Sequence, residues 1–277
     1  MTKTILITGC SSGIGLHCAK RLQEDGWTVF ATARKKQDIK DLKELGLNAL
    51  HLDYEDEKSI HTCFNQVMKA TNGKLDALFN NGAYAQPGAV EDLPTSALRQ
   101  QFEANFFGWH ELTRLVMPIM RQQKHGRIVH CSSVLGFAVL PWRGAYNASK
   151  FALEGLASTM RLELHKSGIH ISLIQPGPIV SKIGENSIPH IDAKIDAKNS
   201  VFAKVYVKQY AALHEEPIKT FLRLEPEAVY KKLKHALNAT APKPNYYVTF
   251  PTHLFGFLKR ILPQRLLDLI SIKFAEY

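Results

Sequence analysis

A tyrosine and a lysine four positions apart, Tyr146 and Lys150, are the residues of this sequence best suited to acid–base chemistry. On a helix, this spacing places both side chains on one face. An ammonium group near a phenol favours the tyrosinate, and so lowers the phenol pKa from its ordinary value of about 10. A phenol with a lowered pKa exchanges protons near neutral pH. Such pairs also occur on ordinary helices, so the assignment depends on the surroundings of the pair.

A glycine-rich turn near the start of the chain predicts a phosphate-binding site. Gly9, Gly13 and Gly15 lie between a short apolar run and a helical pattern. Glycines permit a tight turn and a close approach of a ligand to the backbone, and the free N–H groups of a helix N-terminus attract a pyrophosphate. Three glycines alone are a weak signal, but their place at the first strand–helix junction strengthens it.

The elements that position these residues alternate along the chain. With helical patterns between them, apolar runs predict strands at 5–7, 27–33, 47–52, 75–80, 127–131, 169–175 and 246–250. A long helix predicted over 95–121 contains Pro118, which should kink it or end it early. Alternating strands and helices need crossover connections, which produce a parallel sheet. We therefore predict an α/β fold with a single Rossmann-type, doubly wound parallel sheet of about seven strands and helices on both faces.

Two segments of the expected single domain, 1–277, stand outside this alternation. The segment 178–224 leaves the carboxyl end of a strand, where ligands bind in open parallel sheets, so we expect a lid over the substrate. The tail, 251–277, mixes apolar with basic residues and is interrupted by Pro263. Such a tail lies on a membrane surface or packs against the lid or a second subunit. We favour packing, because apolar faces are usually buried.

The composition is that of a globular protein with surplus positive charge. Hydrophobic residues make up 45% and charged residues 22% of the 277 residues, which excludes a chain disordered throughout. The net charge is +10, and the segment 186–277 holds fourteen basic against eight acidic residues. This charge suits an acidic membrane, a nucleic acid or a phosphorylated ligand, but no zinc-finger or RNA-binding signature accompanies it, so we predict no nucleic-acid partner.

No apolar run reaches the ~20 residues that span a bilayer. The four cysteines lack metal-ligand spacing, so we predict reduced thiols, a cytoplasmic location and no metal site.

Several short motifs follow one another in a characteristic order. They are Thr8–Gly15, Asn80-Asn81, Asn105, Ser133, Tyr146 with Lys150, and Pro176-Gly177. In order and spacing they resemble the short-chain dehydrogenase/reductase family, from Lys3 to about Ser181. The stretch 146–156, YNASKFALEGL, is similar to the hydroxysteroid and retinol dehydrogenase branch. The resemblance implies an enzyme that transfers a hydride between a nicotinamide cofactor and a carbonyl or alcohol.

The resemblance also implies roles for four catalytic residues. Tyr146 would exchange a proton with the substrate oxygen, and Ser133 would stabilise the charge that develops on that oxygen. Lys150 would lower the pKa of Tyr146 and bind the nicotinamide ribose. Asn105 would hold a water that links Lys150 to solvent.

A larger set is implied to bind the cofactor, with Asp53 at the adenine edge and Ile179 and Ser181 at the nicotinamide amide. The whole set is Gly9, Ser11, Ser12, Gly13, Ile14, Gly15, Arg34, Asp53, Asn81, Tyr146, Lys150, Pro176, Gly177, Ile179 and Ser181. One departure from the family pattern concerns the usual Asn-Asn-Ala-Gly, where Gly82 is followed by Ala83 in this chain. We expect a changed loop beside the adenosine ribose and a cofactor site that persists.

The end of the second predicted strand favours NADP over NAD. The stretch 31–35, ATARK, lacks the acidic residue that would bind the ribose 2′-hydroxyl of NAD. Ala33 leaves room, the forked guanidinium of Arg34 suits a phosphate, and Ser12 adds a hydroxyl. The alternative is that Arg34 only begins a solvated basic turn.

We therefore predict an NADP(H)-dependent oxidoreductase acting on a bulky or lipophilic aldehyde, ketone or alcohol, such as a steroid- or retinoid-like molecule. The alternative is a non-catalytic NADP-binding sensor on the same fold, against which the intact set of four catalytic residues argues. The family's usual pairing of the helices that carry Asn105 and Tyr146 implies a homodimer.

Overall fold

The computed structural model describes residues 2–214 and 220–275. One parallel sheet of seven strands runs through these residues, in the order β3-β2-β1-β4-β5-β6-β7. The strands are β1 (Thr4–Ile7), β2 (Thr28–Ala33), β3 (Asn48–His51), β4 (Ala77–Asn80), β5 (Gly126–Cys131), β6 (Ile169–Gln175) and β7 (Asn245–Tyr247). Helices cover both faces, so the predicted fold class is confirmed.

The helices fill the intervals between the strands and the segments beyond them. They are α1 (Gly13–Glu24), α2 (Lys36–Glu44), α3 (Glu57–Ala70), α4 (Thr95–Phe102), α5 (Gly108–Gln123), α6 (Gly144–Glu163), α7 (Ile188–Lys194), α8 (Ala203–His214), α9 (Glu227–Asn238), α10 (Phe250–Ile261) and α11 (Gln264–Ala275).

The central strands are apolar on both sides because helices cover both faces of the sheet. Ile5, Leu6 and Ile7 of β1 are fully buried, and so are Leu78 and Phe79 of β4. Strands buried on both faces have continuous apolar runs instead of alternation. The sequence pattern of short apolar runs therefore follows directly from the crossover topology.

The position of the site follows from the strand order. The chain adds strands in one direction from β1 to β3 and in the other from β4 onwards, so the order reverses between β1 and β4. Outside the carboxyl ends of these strands the connections diverge and leave a crevice, which is where ligands bind in open α/β sheets. The glycine turn follows β1, and the serine turn with Ser133 follows β5, which pairs with the other side of β4.

Two local predictions are wrong. The helix over 95–121 is interrupted at a π-helical turn, Glu103–Phe107, and α5 then continues through Pro118 to Gln123. Packing of α5 on the sheet outweighs the backbone hydrogen bond that a proline removes. The strand over 246–250 ends at Tyr247, and α10 begins at Phe250 with a proline in its first turn, where no N–H partner is needed.

A helix-interior glycine gives a direct test of this local structure. Gly155 lies on the exposed side of α6, and nothing lies within 4 Å of the place a Cβ would occupy. Alanine favours a helix interior over glycine by roughly 0.5–1 kcal/mol. We expect Gly155→Ala to raise the free energy of unfolding by about this amount in urea denaturation.

The matched control is Gly108→Ala at the start of α5. Its Cβ would lie 2.4 Å from the carbonyl oxygen of Tyr54, so this substitution should lower the free energy of unfolding. A less stable Gly155→Ala protein would contradict the described exposure of that helix face.

Candidate active site

The turn after β1 and the loop after β4 are locked together. Thr8 Oγ1 accepts the N–H groups of Asn81 (2.9 Å) and Gly82 (3.1 Å), and the Asn81 amide donates to the carbonyls of Thr8 (3.0 Å) and Gly9 (3.2 Å). Gly9 has φ +68°, and a Cβ there would lie 2.4 Å from the Gly82 Cα. The Asn81 side chain therefore fixes the backbone conformation at the start of the glycine turn.

The departure at Gly82-Ala83 fits this packing. Gly82 lies directly against Gly9, and an added Cβ would be 3.1 Å from the Gly9 nitrogen. Ala83 is exposed and is not one of the residues with positive φ, so no glycine is needed there. The glycine of this loop thus occupies the position that contacts the phosphate-binding turn.

The start of α1 has the features of an anion site. The first N–H groups of a helix, here beginning at Gly13, have no partner within the helix. Ser12 precedes the helix in an extended conformation and its side chain makes no capping bond, while Ser11 is exposed. Gly13 has φ +55°, and a Cβ there would lie 3.2 Å from the Cβ of Ser181. The chain thus brings Ser181, far away in sequence, to the glycine turn.

The segment after β6 connects the serine turn to this region. The Pro176 carbonyl accepts the N–H of Val134, 2.8 Å away and next to Ser133. Gly177 lies against Thr249, whose Oγ1 would be 2.2 Å from an added Cβ. Ile179 is buried and pairs with Leu224 through an isolated β-bridge.

The two residues predicted at the adenosine end lie after β2 and β3. Arg34 is exposed and forms no salt bridge with a carboxylate of residues 2–214 or 220–275. Its charge and the burial of His190 both lower the pKa of that histidine, with burial the larger cause. The Asp53 carboxylate accepts the N–H of Glu55 at 3.1 Å.

The Lys150 ammonium is buried and forms no salt bridge with a carboxylate of residues 2–214 or 220–275. Its Nζ donates to the carbonyl of Cys131 at 2.8 Å and lies 4.2 Å from the ring centroid of Trp109. Burial lowers the pKa of Lys150 from 10.5 to about 8. A carbonyl dipole and an aromatic face stabilise a cation less than an anion would. The residue is therefore held charged near neutral pH at an energetic cost.

Tyr146 corrects a sequence-based prediction. Lys150 Nζ lies 5.6 Å from the Tyr146 ring centroid but donates to the Cys131 carbonyl instead of the phenol. Burial raises the pKa of the Tyr146 phenol, the Cys131 thiol adds to this, and the Ser133 hydroxyl offsets only part of it. The expectation that Lys150 lowers the pKa of this phenol is wrong, because burial raises it, and the phenol is protonated at neutral pH.

A carboxylate missed by the sequence analysis fixes the serine turn. Ser132 Oγ donates to Glu154 at 2.5 Å, and Gln175 Nε2 donates to both oxygens of Glu154 at 3.0 and 2.9 Å. Burial raises the pKa of Glu154. The signal was available, because Glu154 follows Lys150 by four residues on the same helix. Glu154 thus connects Ser132, the residue before Ser133, to Gln175 at the end of β6.

Asn105 lies in the π-helical turn and is pinned to the loop after β4. Its Oδ1 accepts the Tyr84 N–H at 3.2 Å and its Nδ2 donates to the Tyr84 carbonyl at 2.8 Å. Insertions of this kind in helices are frequent at functional sites. The ring of Trp109 lies against the Lys150 ammonium. Trp109 follows Asn105 by four residues, and its role was not predicted from the sequence. The water between Asn105 and Lys150 stays a prediction.

Known proteins are similar in sequence to this chain over most of its length. The profile of the family described as short chain dehydrogenase matches residues 3–191. The uncharacterized oxidoreductase YbbO of Escherichia coli K12 is 37% identical over 270 residues, covering 98% of this chain and 94% of YbbO. NADPH-dependent 3-dehydrocapnine reductase of Ornithobacterium rhinotracheale is 30% identical over 277 residues, covering 97% and 95%. Human retinol dehydrogenase 8 is 37% identical over 190 residues, covering 65% of this chain and 60% of that protein, in line with the resemblance to that branch.

Solved structures agree on the fold. A short-chain dehydrogenase from Streptomyces avermitilis superposes with a TM-score of 0.77 at 26% identity, covering 94% of each chain. At 22% identity, ElxO with NADP has a TM-score of 0.73 (92% and 100% covered). A Burkholderia phymatum protein with NAD has a TM-score of 0.77 (97% and 95% covered) at the same identity, so the fold alone does not select the nucleotide. This chain belongs to the short chain dehydrogenase family and is an oxidoreductase with a nucleotide-binding, Rossmann-type fold.

Proposed function

We propose that this oxidoreductase uses NADPH to reduce a carbonyl group on a bulky, lipophilic substrate. The observation that carries the proposal is the juxtaposition of a protonated phenol, a serine hydroxyl and a buried ammonium. These groups belong to Tyr146, Ser133 and Lys150, beside the carboxyl end of β5. In an open α/β sheet this edge is where substrates bind.

The proton transfer follows from the protonation states. Burial keeps the Tyr146 phenol protonated at neutral pH, which makes it a proton donor to the oxygen of a carbonyl under reduction. Ser133 Oγ accepts the N–H of Leu135 at 3.1 Å, and its own hydrogen, which is directed to the Tyr146 phenol, can donate to the substrate oxygen instead. The Lys150 ammonium stabilises the phenolate that remains. A protonated phenol beside an ammonium is the form of the site that carbonyl reduction requires.

The residues around the glycine turn fit a dinucleotide. The close contacts of Gly9 with Gly82 and of Gly13 with Ser181 require glycine, so this turn presents backbone groups instead of side chains to a ligand. In this proposal Ser11, Ser12 and the first turn of α1 hold the pyrophosphate, and Asp53 contacts the adenine. On the other side, Pro176, Gly177, Ile179 and Ser181 hold the nicotinamide, with the help of Tyr146 and Lys150 on the ribose. When bound, the cofactor supplies the hydride.

The choice of NADP rests on the end of β2. Ala33 is buried and offers no carboxylate to a ribose hydroxyl, and the exposed Arg34 guanidinium is available to a phosphate. A relative with 30% identity over nearly the whole chain is named as NADPH-dependent, which supports the same choice here.

Apolar side chains near the catalytic residues support a lipophilic substrate. Val90 is 73% exposed and lies against Gly144, two residues before Tyr146, where an added Cβ would be 2.6 Å from its Cγ2. Val139 is also exposed and lies in the chain between Ser133 and Tyr146. Apolar surface left open beside polar catalytic groups is typical of sites for apolar ligands.

We assign the described parts of the segment 178–224, residues 178–214 and 220–224, as a lid over this surface, and residues 215–219 lie outside the described residues. Ile191 and Ile195, of α7 and just beyond it, form a buried cluster with Tyr206 of α8, so these side chains hold the lid together instead of lining the site. His190 of α7 stacks on Tyr84 with ring centroids 4.1 Å apart, which fastens the lid to the loop that holds Asn105. A single domain over 1–277, a homodimer and a cytoplasmic location stay predictions.

The acid–base assignment is tested by Tyr146→Phe. The variant keeps the ring but lacks the transferable proton, so turnover should fall by roughly 10²–10⁴-fold with NADPH binding near that of the wild type. Turnover is read from NADPH absorbance with a panel of long-chain aldehydes, steroid ketones and retinal. Tyr230→Phe on α9, which removes a phenol hydroxyl that donates to Asp25 after α1, is the control and should keep full turnover. A Tyr146→Phe enzyme with wild-type turnover would refute the assignment.

The cofactor preference is tested at the end of β2. The additional phosphate of NADPH carries about two negative charges, and one charge-assisted bond to it is worth at least about tenfold in affinity. Arg34→Ala should therefore weaken NADPH binding by about tenfold or more and leave NADH binding unchanged. Ala33→Asp should reverse the preference, because its carboxylate accepts from a ribose hydroxyl and repels a phosphate.

The measurement is the dissociation constant of each nucleotide, with Lys36→Ala as the control for general positive charge. Lys36 is exposed in the same basic turn and should have little effect. If the wild type binds NADH as tightly as NADPH, or if Lys36→Ala has the same effect as Arg34→Ala, the preference assigned to Arg34 is wrong.

A further inference from the structure

The C-terminal helices have an inner face that packs and an outer face that does not. On the inner face, Thr252 and Phe255 of α10 are buried, and Phe255 meets Phe274 of α11 edge to face with ring centroids 5.6 Å apart. The helices are thus a packed part of the fold. Whatever covers their outer face must come from outside the described chain.

The outer face of α10 is an apolar stripe. Phe250, Phe257 and Ile261 are each more than half exposed, and spacings of seven and four residues place them on one side of the helix. Phe221, itself 77% exposed, extends the stripe with its ring centroid 6.4 Å from that of Phe250. Large apolar side chains exposed in a contiguous row mark an interaction surface.

The second helix continues the pattern with basic residues among the apolar ones. Leu266, Leu269 and Ile272 of α11 are exposed, and so are Arg265 and Lys273 on the same helix. Exposed apolar side chains interleaved with cations are the composition of helices that lie in a membrane interface. No helix in 2–214 or 220–275 is long and apolar enough to cross a bilayer, so contact with one would be along its surface.

A basic cavity lies at the edge of the apolar stripe. It has a volume of about 250 Å³, and no acidic side chain of the described residues lines it. The lining residues are Lys232, Lys243, Asn245, Tyr246, Tyr247, His253 and Arg260. None of its lysines or its arginine forms a salt bridge with a carboxylate of the described residues. Arg260 donates one N–H to the Gly256 carbonyl of its own helix, at 2.8 Å, and keeps its other donors. The cavity therefore suits an anion.

The cavity and the stripe share one helix, which specifies the occupant. His253 and Arg260 of the cavity lie on α10, on the flank of the stripe formed by Phe257 and Ile261. A phosphate joined to acyl chains has the same arrangement of an anionic group beside an apolar one. A second copy of this chain fits less well, because a two-fold interface would bring like charges of the two copies together.

We propose that α10, α11 and the basic cavity form a docking surface for the face of a bilayer that contains anionic phospholipids. The lipid phosphate lies in the cavity, and the apolar stripe enters the interfacial region of the bilayer. This surface contains none of the catalytic residues Asn105, Ser133, Tyr146 and Lys150, and its test needs neither cofactor nor turnover.

The test is co-sedimentation of the full-length protein with vesicles of phosphatidylcholine, with and without phosphatidylglycerol. We expect at least tenfold tighter binding to the anionic vesicles at low salt, and a loss of this difference at high salt. Phe257→Ser with Ile261→Ser should weaken binding to the anionic vesicles at least tenfold. Lys232→Gln with Arg260→Gln should weaken it by about fivefold for each cation removed.

Matched controls distinguish binding through this surface from nonspecific binding through exposed apolar side chains or cations elsewhere. Leu45→Ser with Val201→Ser removes exposed apolar side chains elsewhere, and Lys58→Gln with Lys69→Gln removes exposed cations on α3. Both pairs should bind as the wild type does, apart from a small effect of net charge. Circular dichroism and thermal melting establish that every variant is folded.

Three outcomes would overturn the proposal. The first is wild-type protein that sediments with neither vesicle, or equally with both. The second is unchanged vesicle binding by the folded variants of the stripe and the cavity. The third, seen by light scattering, is a wild-type dimer that Phe257→Ser with Ile261→Ser converts to a monomer without vesicle binding, which would assign the surface to a second copy.

Discussion

The structure depends on one costly feature, the burial of the Lys150 ammonium with no salt bridge to a carboxylate of the described residues. Its Nζ is held by the Cys131 carbonyl at 2.8 Å and by the face of Trp109 at 4.2 Å. A buried cation paired with a carboxylate would be more stable, but it would also be neutralised as a source of positive potential. An unpaired ammonium stabilises a phenolate or an anionic ligand that forms beside it. The energetic cost of burying this cation is thus what allows the site to stabilise negative charge.

The contacts that hold this ammonium extend to the rest of the crevice. Trp109 donates its ring N–H to the carbonyl of Gly82 at 2.8 Å, and Gly82 lies against Gly9 of the phosphate-binding turn. Behind the lysine, Glu154 ties Ser132 to Gln175 and so fixes the ends of β5 and β6. The acid–base residues and the glycine turn are therefore parts of one packed network. A substitution at its centre should affect both.

Most of the fold was predictable because parallel strands buried on both faces leave short apolar runs in the sequence. The site residues were predictable where the signal is local, as for the glycine turn and for Tyr146 with Lys150. Pro118 led to a wrong prediction of the helix end, because helix propensity reports only local preference, whereas the packing of α5 on the sheet keeps the helix intact through Pro118. The pKa of Tyr146 was misjudged because spacing on a helix does not reveal that Lys150 turns to the Cys131 carbonyl. Glu154 and Trp109 could have been predicted, because each follows a predicted catalytic residue, Lys150 and Asn105, by four positions and so shares its helix face. The contact of Ser181 with Gly13 had none, because the two residues meet only through the tertiary fold.

The central claim is that Lys150 is a buried, unpaired cation, and its most direct test is the pH dependence of stability. The pKa of Lys150 is about 8 in the folded protein and 10.5 ordinarily. Between these values the unfolded chain holds a proton that the folded protein has lost, so the free energy of unfolding rises with pH. The slope is up to about 1.4 kcal/mol per pH unit for one group.

The measurement is urea denaturation of the wild type and of Lys150→Met from pH 7 to pH 10, with Lys69→Met on the surface of α3 as the control. The difference in unfolding free energy, wild type minus Lys150→Met, should be level below about pH 8 and rise by roughly 2–3 kcal/mol above it. The difference between wild type and Lys69→Met should stay flat. A Lys150→Met difference that stays level or falls as the pH rises would show that the ammonium is not buried unpaired, and would contradict this account.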